Sequence, residues 1–155
     1  MQLRSSLMTA ICWLLALPAS GALAQDGKCT LSGGALAFGA YNPGFIAHLD
    51  AMGMLTMDCK GKIQAQLGLS VGTGSGASYG TGRIMTGSTG GLLRYNLYTD
   101  PSRTLVLGDG TGGSTRLNLT IQGTVTQAFW GRIPAGQASV PIGLYADVLV
   151  ATISY

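Results

Sequence analysis

Few residues in this sequence could do chemistry, and their spacing argues against most of it. His48 is the one histidine, and it stands two residues before Asp50. With serines plentiful, these two could supply the base and orienting carboxylate of a nucleophilic triad. The chain has no G-x-S-x-G elbow, however, and residues i and i+2 on a strand merely share a face. His48 beside Asp50 therefore reads as a loop histidine. Gly108-Asp109-Gly110-Thr111-Gly112-Gly113 satisfies the G-x-G-x-x-G string. In a dinucleotide fold the third glycine opens a helix whose N-terminus holds a pyrophosphate. Here Ser114 leads into an alternating stretch over residues 115–125, so the loop reads as a hairpin connection. Asp100 and Asp109 stand outside any acidic cluster of the kind calcium needs. A lone histidine and the absence of a C-x-x-C pair argue against zinc. The Asn118-Leu119-Thr120 sequon falls inside the alternating stretch and reads as a chance match. The expectation is a protein with no catalytic, cofactor-binding or metal residues.

Composition points the same way. Among 155 residues there are 25 glycines, six aspartates and no glutamate; 10% are charged and 46% are hydrophobic. Disorder requires low hydrophobicity with high net charge, and neither holds. A helical bundle would be rich in Glu, Lys and Arg. The glycines lack the three-residue period of collagen. A scattered net charge of +3 offers no nucleic-acid surface. What remains is a weakly charged β protein punctuated by glycine.

Residues 1–24 read as a secretory signal peptide. Arg4 supplies the positive start, residues 7–17 are apolar except Thr9, Pro18 ends the helix, and Ala22-Leu23-Ala24 fits small-x-small cleavage. A membrane-spanning helix needs about 20 apolar residues, so no anchor is expected. Residues 25–155 then form one exported domain. Cys12 leaves with the leader, and Cys29 and Cys59 remain. In an oxidising compartment this pair reads as one disulfide, worth about 3.5–4 kcal/mol in the chain-entropy model, with two buried free thiols as the alternative.

The mature chain reads as short strands between glycine turns. Residues 63–71 alternate apolar and polar without a break, and residues 115–125 repeat the pattern. Residues 55–59, 92–98 and 104–107 are shorter candidates. Residues 145–155 form the longest, with Leu149, Ala151, Ile153 and Tyr155 on its inner face and Val148 and Val150 on its outer one. Some seven such strands predict an all-β sandwich. A terminal strand apolar on both faces should not remain an open edge. It is covered either by this chain itself or by a strand from another.

An ordered set of phrases spanning the mature chain resembles the spore coat U domain, the subunit type of archaic chaperone–usher pili. They are Cys29, FGAYNPG at 38–44, residues 53–59, GRIM at 82–85, LRYNLYTD at 93–100, GDGTGG at 108–113, GRIPAGQ at 131–137 and GLYADVLVATISY at 143–155. The resemblance implies an immunoglobulin-like sandwich lacking its last strand. A periplasmic chaperone would first fill the groove, and another pilus subunit's extension would replace it at the outer-membrane usher. It also implies that Tyr145, Asp147, Leu149, Ala151, Ile153 and Tyr155 border that groove and that Cys29 and Cys59 are the family's disulfide pair. Leu107 replaces the family's tryptophan before GDG, Trp130 precedes GRIPAGQ, and Ala151 is small where a larger β-branched residue is usual. Only residues 25–28 would precede Cys29 after cleavage, and they span at most about 14 Å, too short for a donor strand. The expectation is a non-enzymatic structural or adhesive subunit at the tip of a surface fibre, or one that does not polymerise. Phe45, Ile46, Met52 and Met54 are its candidate exposed apolar loop residues. The alternative is a self-contained exported binding or coat domain whose sandwich closes internally. Neither reading involves nucleic acid or membrane insertion after cleavage.

Overall fold

The computed structural model describes residues 29–155, so the expected signal peptide and residues 25–28 lie outside it. Seven strands and no helix occur among the described residues: β1 (Cys29–Ala35), β2 (Leu49–Leu69), β3 (Arg83–Gly87), β4 (Leu92–Tyr98), β5 (Leu117–Ile133), β6 (Tyr145–Ala146) and β7 (Ala151–Ser154). The expected all-β architecture is present, but several elements differ in length from the sequence pattern.

Two stretches read separately, 55–59 and 63–71, belong to the single long strand β2. A bulge joins them: Cys59 faces Gly123 and the next paired residue, Lys62, faces Gln122. Gly61 has φ +83° and Gly123, across the ladder, φ +69°, a conformation that glycine adopts without penalty. Two residues are inserted, an even number, so the odd positions Leu55, Met57 and Cys59 and then Ile63, Ala65, Leu67 and Leu69 all stay buried. The alternation of residues 115–125 likewise continues beyond its expected end, because Phe129, Gly131 and Ile133 carry the inward parity forward in β5. Residues 104–107 form no strand; Val106 and Leu107 make isolated bridges to Tyr98 and Thr115.

One layer is built on the antiparallel β2–β5 pair, with β1 on Met54–Cys59 and β7 on Gln66–Leu69 of the same β2 edge. The other layer is β4–β3–β6. β4 belongs to both, pairing with β3 through Leu92–Tyr95 and with β5 through Asn96–Tyr98. Leu55, Met57, Leu93, Leu97, Phe129 and Tyr145 fill the space between, and the Phe38 ring meets Tyr95 edge-on at 5.9 Å between centroids. Phe129 lies against Gly53 so closely that a Cβ there would collide with its ring. Cys29 and Cys59 form a disulfide, tying the start of β1 to the bulge of β2.

Beneath Tyr79 the interior is polar. Arg83 is fully buried and donates to the Ser70 carbonyl from Nε and Nη2, to Asn96 Oδ1 from Nη1 and to the Leu107 carbonyl from Nη2, at 2.6–3.1 Å. Its guanidinium also stacks 5.1 Å from the Tyr79 ring centroid, a cation–π contact. Asn96 Nδ2 donates to the Tyr79 carbonyl, and Tyr79 Oη donates to the Leu69 carbonyl. One cation thereby fixes the end of β2, the middle of β4 and the 107 loop together.

Candidate partner-binding edge

Residues the sequence brings near one another for catalysis are occupied structurally. Asp50 accepts from Arg132 Nε and Nη2 at 2.7 and 2.8 Å and lies 3.2 Å from Arg103 Nε. The Arg132 hydrogen bond, followed by the positive charge of Arg103 and Arg132, outweighs desolvation and holds its carboxyl below the usual 3.8. His48 Nδ1 accepts the Ala135 amide. Asp100 and Asp109 take amides within their own turns, those of Thr104 and Leu105 and that of Thr111. The 108–113 loop leads into β5 rather than a helix.

The Asp50 cluster gives a pH prediction. A carboxyl whose folded pKa is depressed stabilises the fold above its unfolded pKa and loses that contribution as pH falls through the folded one. Asp50→Asn is therefore expected to cost less than about 1 kcal/mol at neutral pH, as for half-exposed ion pairs. The difference from wild type should vanish in thermal scans taken well below pH 4. A gap that persists in acid would mean that Asp50 acts otherwise than through its charge.

The C-terminal segment is arranged differently from the single long strand its alternation suggests. β6 pairs with β3, β7 pairs with β2, and residues 147–150 cross from one layer to the other. Asp147 is the cause. Its Oδ1 accepts Thr73 N, Thr73 Oγ1 and the amide of the next residue, Val148, at 2.8–3.0 Å, while Oδ2 accepts Tyr95 Oη at 2.8 Å. A carboxylate that captures the neighbouring amide diverts it from a ladder. Gly72, at φ +99°, makes room for this group, since any Cβ there would strike the carboxylate. Ser70 completes the crossing: its amide donates to the Val150 carbonyl at 2.8 Å and its Oγ accepts the Val150 amide at 2.9 Å.

The parity of the segment is kept across the break. Tyr145, Asp147 and Leu149 are buried, Ala151 and Ile153 half-buried, and Tyr155 is 55% exposed. Burial pushes the Tyr145 phenol up, and its Oη donates to the Pro141 carbonyl at 2.7 Å. On the outer face Ile142, Leu144, Val148 and Val150 are exposed, Val150 by 65%. Among the described residues β3 is the only strand paired with β6, and β2 the only one paired with β7. β1 pairs with β2 and not with this segment.

The same side of the sandwich carries inward-facing apolar residues that are only half covered. Leu31 faces Met57, which faces Val125; Ile153 faces Leu67, which faces Leu117. Leu31, Leu117, Leu119, Val125, Ala151 and Ile153 all pack on the core while remaining partly accessible. Between β1 and β7, the β2 edge at residues 60–65 bears neither strand. The other candidates fall elsewhere. Phe45 and Ile46 lie in the loop after β1, Ile46 with 99% of its surface exposed. Met52 and Met54 are not loop residues as expected: they occupy the outward parity of β2, because Gly53 and Leu55 point in.

The two layers and their strand order make this an immunoglobulin-like β-sandwich with one disulfide, ending in a segment that bridges both layers. The sequence pattern of the Spore Coat Protein U domain family matches residues 15–152, and the chain belongs to that family. Protein U of Myxococcus xanthus is 32% identical over 143 residues, covering 83% of this chain and 78% of that protein. Among solved structures, similarity is found to the CsuC–CsuE chaperone–tip adhesion subunit pre-assembly complex from archaic chaperone–usher Csu pili of Acinetobacter baumannii. The TM-score is 0.53 at 16% identity over 82% of this chain, which spans 39% of the solved chain. That likeness concerns the fold.

Sequence reasoning missed the Arg83 and Asp147 networks. The signal for Asp147 was available: it is the one charged residue at the inward parity of an otherwise apolar terminal stretch. Arg83 stands beside Ile84 and Met85 with no such alternation to mark it as buried.

Proposed function

We propose that this chain is a non-enzymatic subunit of a secreted surface pilus. It is held by a periplasmic chaperone, passed to an outer-membrane usher and joined to other subunits by strand donation along the C-terminal segment. The observation that carries this reading is the segment's unpaired edge beside half-covered Leu31, Leu117, Leu119, Val125 and Ile153. An alternating apolar donor strand would cover those side chains and complete the sandwich, which is β-augmentation. Family membership and the chaperone-bound subunit among similar folds support it. Tyr145, Asp147, Leu149, Ala151, Ile153 and Tyr155 form the acceptor segment. Export follows from the leader expected at residues 1–24. A position at the fibre tip is part of the same proposal, with Phe45 and Ile46 in their loop and Met52 and Met54 on β2 as the adhesive surface.

A self-contained exported coat or binding domain is the second reading, and the pairing of β7 with β2 favours it. Expressing the mature chain with and without a chaperone of a chaperone–usher system separates the two. Strand donation predicts that the chain alone aggregates and that it co-purifies one-to-one with the chaperone. A monomer that refolds reversibly without a partner and ignores the chaperone would overturn it.

A further inference from the structure

A second unpaired edge lies on the opposite flank of the β2–β5 pair and does not depend on the pilus reading. β5 pairs with β2 along its whole length, but β4 reaches only Trp130, Gly131 and Arg132 on the other side. Among the described residues no strand covers residues 117–127 there, and at its end the Gln127 side chain caps the next carbonyl, that of Ala128. Exposed edges are ordinarily protected by lysine, proline, a short length or a bulge, and the irregularity at Gly123 is the one such device here. Residues 117–129 contain no charged residue and no proline. Its outward side chains Asn118, Thr120, Thr124 and Thr126 bond sideways to Gln66, Gln64, Asp58 and Thr56 of β2 and do not block the approach.

The order of residues in this edge identifies its occupant. About Gln122 three of the five mirrored pairs are alike in kind, Thr120 with Thr124, Leu119 with Val125 and Asn118 with Thr126, while Ile121 mirrors Gly123 and Leu117 mirrors Gln127. We infer that β5 pairs antiparallel with β5 of a second copy of this chain, about a two-fold axis through Gln122. Directly opposed residues of an antiparallel pair share a face. The outward face then gains Thr–Thr and Asn–Thr pairs, and the inward face Leu119–Val125 and Ile121–Gly123 pairs. The absence of charge means that no like charges meet across the axis, as an isologous interface requires. Gly123, at φ +69°, then lies opposite Ile121 of the other copy, and the axis relates the two glycines.

Opposite charges placed at residues 118 and 126 test this pairing. Asn118→Lys with Thr126→Lys gives one variant and Asn118→Asp with Thr126→Asp the other; both positions are exposed. Sedimentation equilibrium is run on the mature chain, or on its chaperone complex where the chain alone aggregates. Wild type should dimerise, each variant alone should dimerise roughly ten-fold or more weakly, and an equimolar mixture should recover a heterodimer. Association through the C-terminal edge would not respond to these charges. A wild-type monomer, a dimer unaffected in both variants, or a mixture that fails to associate overturns the inference.

Discussion

Asp147→Ala is expected to lower stability by on the order of 3 kcal/mol and to loosen the C-terminal segment from the sandwich. Four donors converge on this carboxylate: Thr73 N and Oγ1, Val148 N and Tyr95 Oη. Thr73 and Val148 lie where water can replace the lost acceptor, but Tyr95 is buried beside the buried carboxylate, and a hydrogen bond to a charged group contributes about 1.5–3 kcal/mol. The cavity left at a buried position adds to that cost. Asparagine would keep an acceptor for Thr73 and Val148, and the rotatable Tyr95 hydroxyl could accept from its amide. Asp147→Asn should therefore recover most of the loss. The check is denaturant unfolding of the three proteins, with hydrogen exchange read at the amides of 148–153. If alanine leaves both unchanged, the carboxylate does not hold the crossing.

This residue also shows where the sequence was legible. Alternation places Leu149, Ala151, Ile153 and Tyr155 inward; the structure keeps that parity for the first three, because a two-residue period survives a break in hydrogen bonding, while Tyr155 at the end of the chain is 55% exposed. The break itself depends on a partner 74 residues away, Thr73, and on the room left by Gly72. No local pattern records such a contact. The same holds for β2: its two halves were readable, but their fusion rests on Gly61 and on Gly123 in a different strand. The export reading paired Cys29 with Cys59, and the structure places their disulfide at that same bulge. The candidate edges were legible as faces and not as edges. Which side of a strand lacks a neighbour follows from strand order, and strand order is set by long-range pairing.

The largest effect is expected at Arg83. Arg83→Met keeps the length and apolar stem of the side chain but leaves the Ser70 and Leu107 carbonyls without their side-chain donor and Asn96 Oδ1 with the Leu97 amide alone. At about 1–3 kcal/mol for each of the two carbonyls left unpaired, the loss is on the order of 4 kcal/mol. A domain of this size holds roughly 5–15 kcal/mol in total, so the variant should lose a large share of its stability outside a stabilising complex. Arg83→Lys tests geometry separately from charge. An ammonium is a point donor and cannot reach three acceptors spread around a planar fork, so lysine should restore no more than about half of the loss. The Tyr79 ring, stacked on the guanidinium, gives an independent readout, since its near-ultraviolet signal should collapse in both variants. Midpoints of chemical denaturation provide the measurement, with the Cys29–Cys59 disulfide kept intact throughout. Should Arg83→Met unfold within about 1 kcal/mol of wild type, the Ser70 and Leu107 carbonyls would have to be satisfied by water. The joint between β2, β4 and the 107 loop would then rest on apolar packing alone.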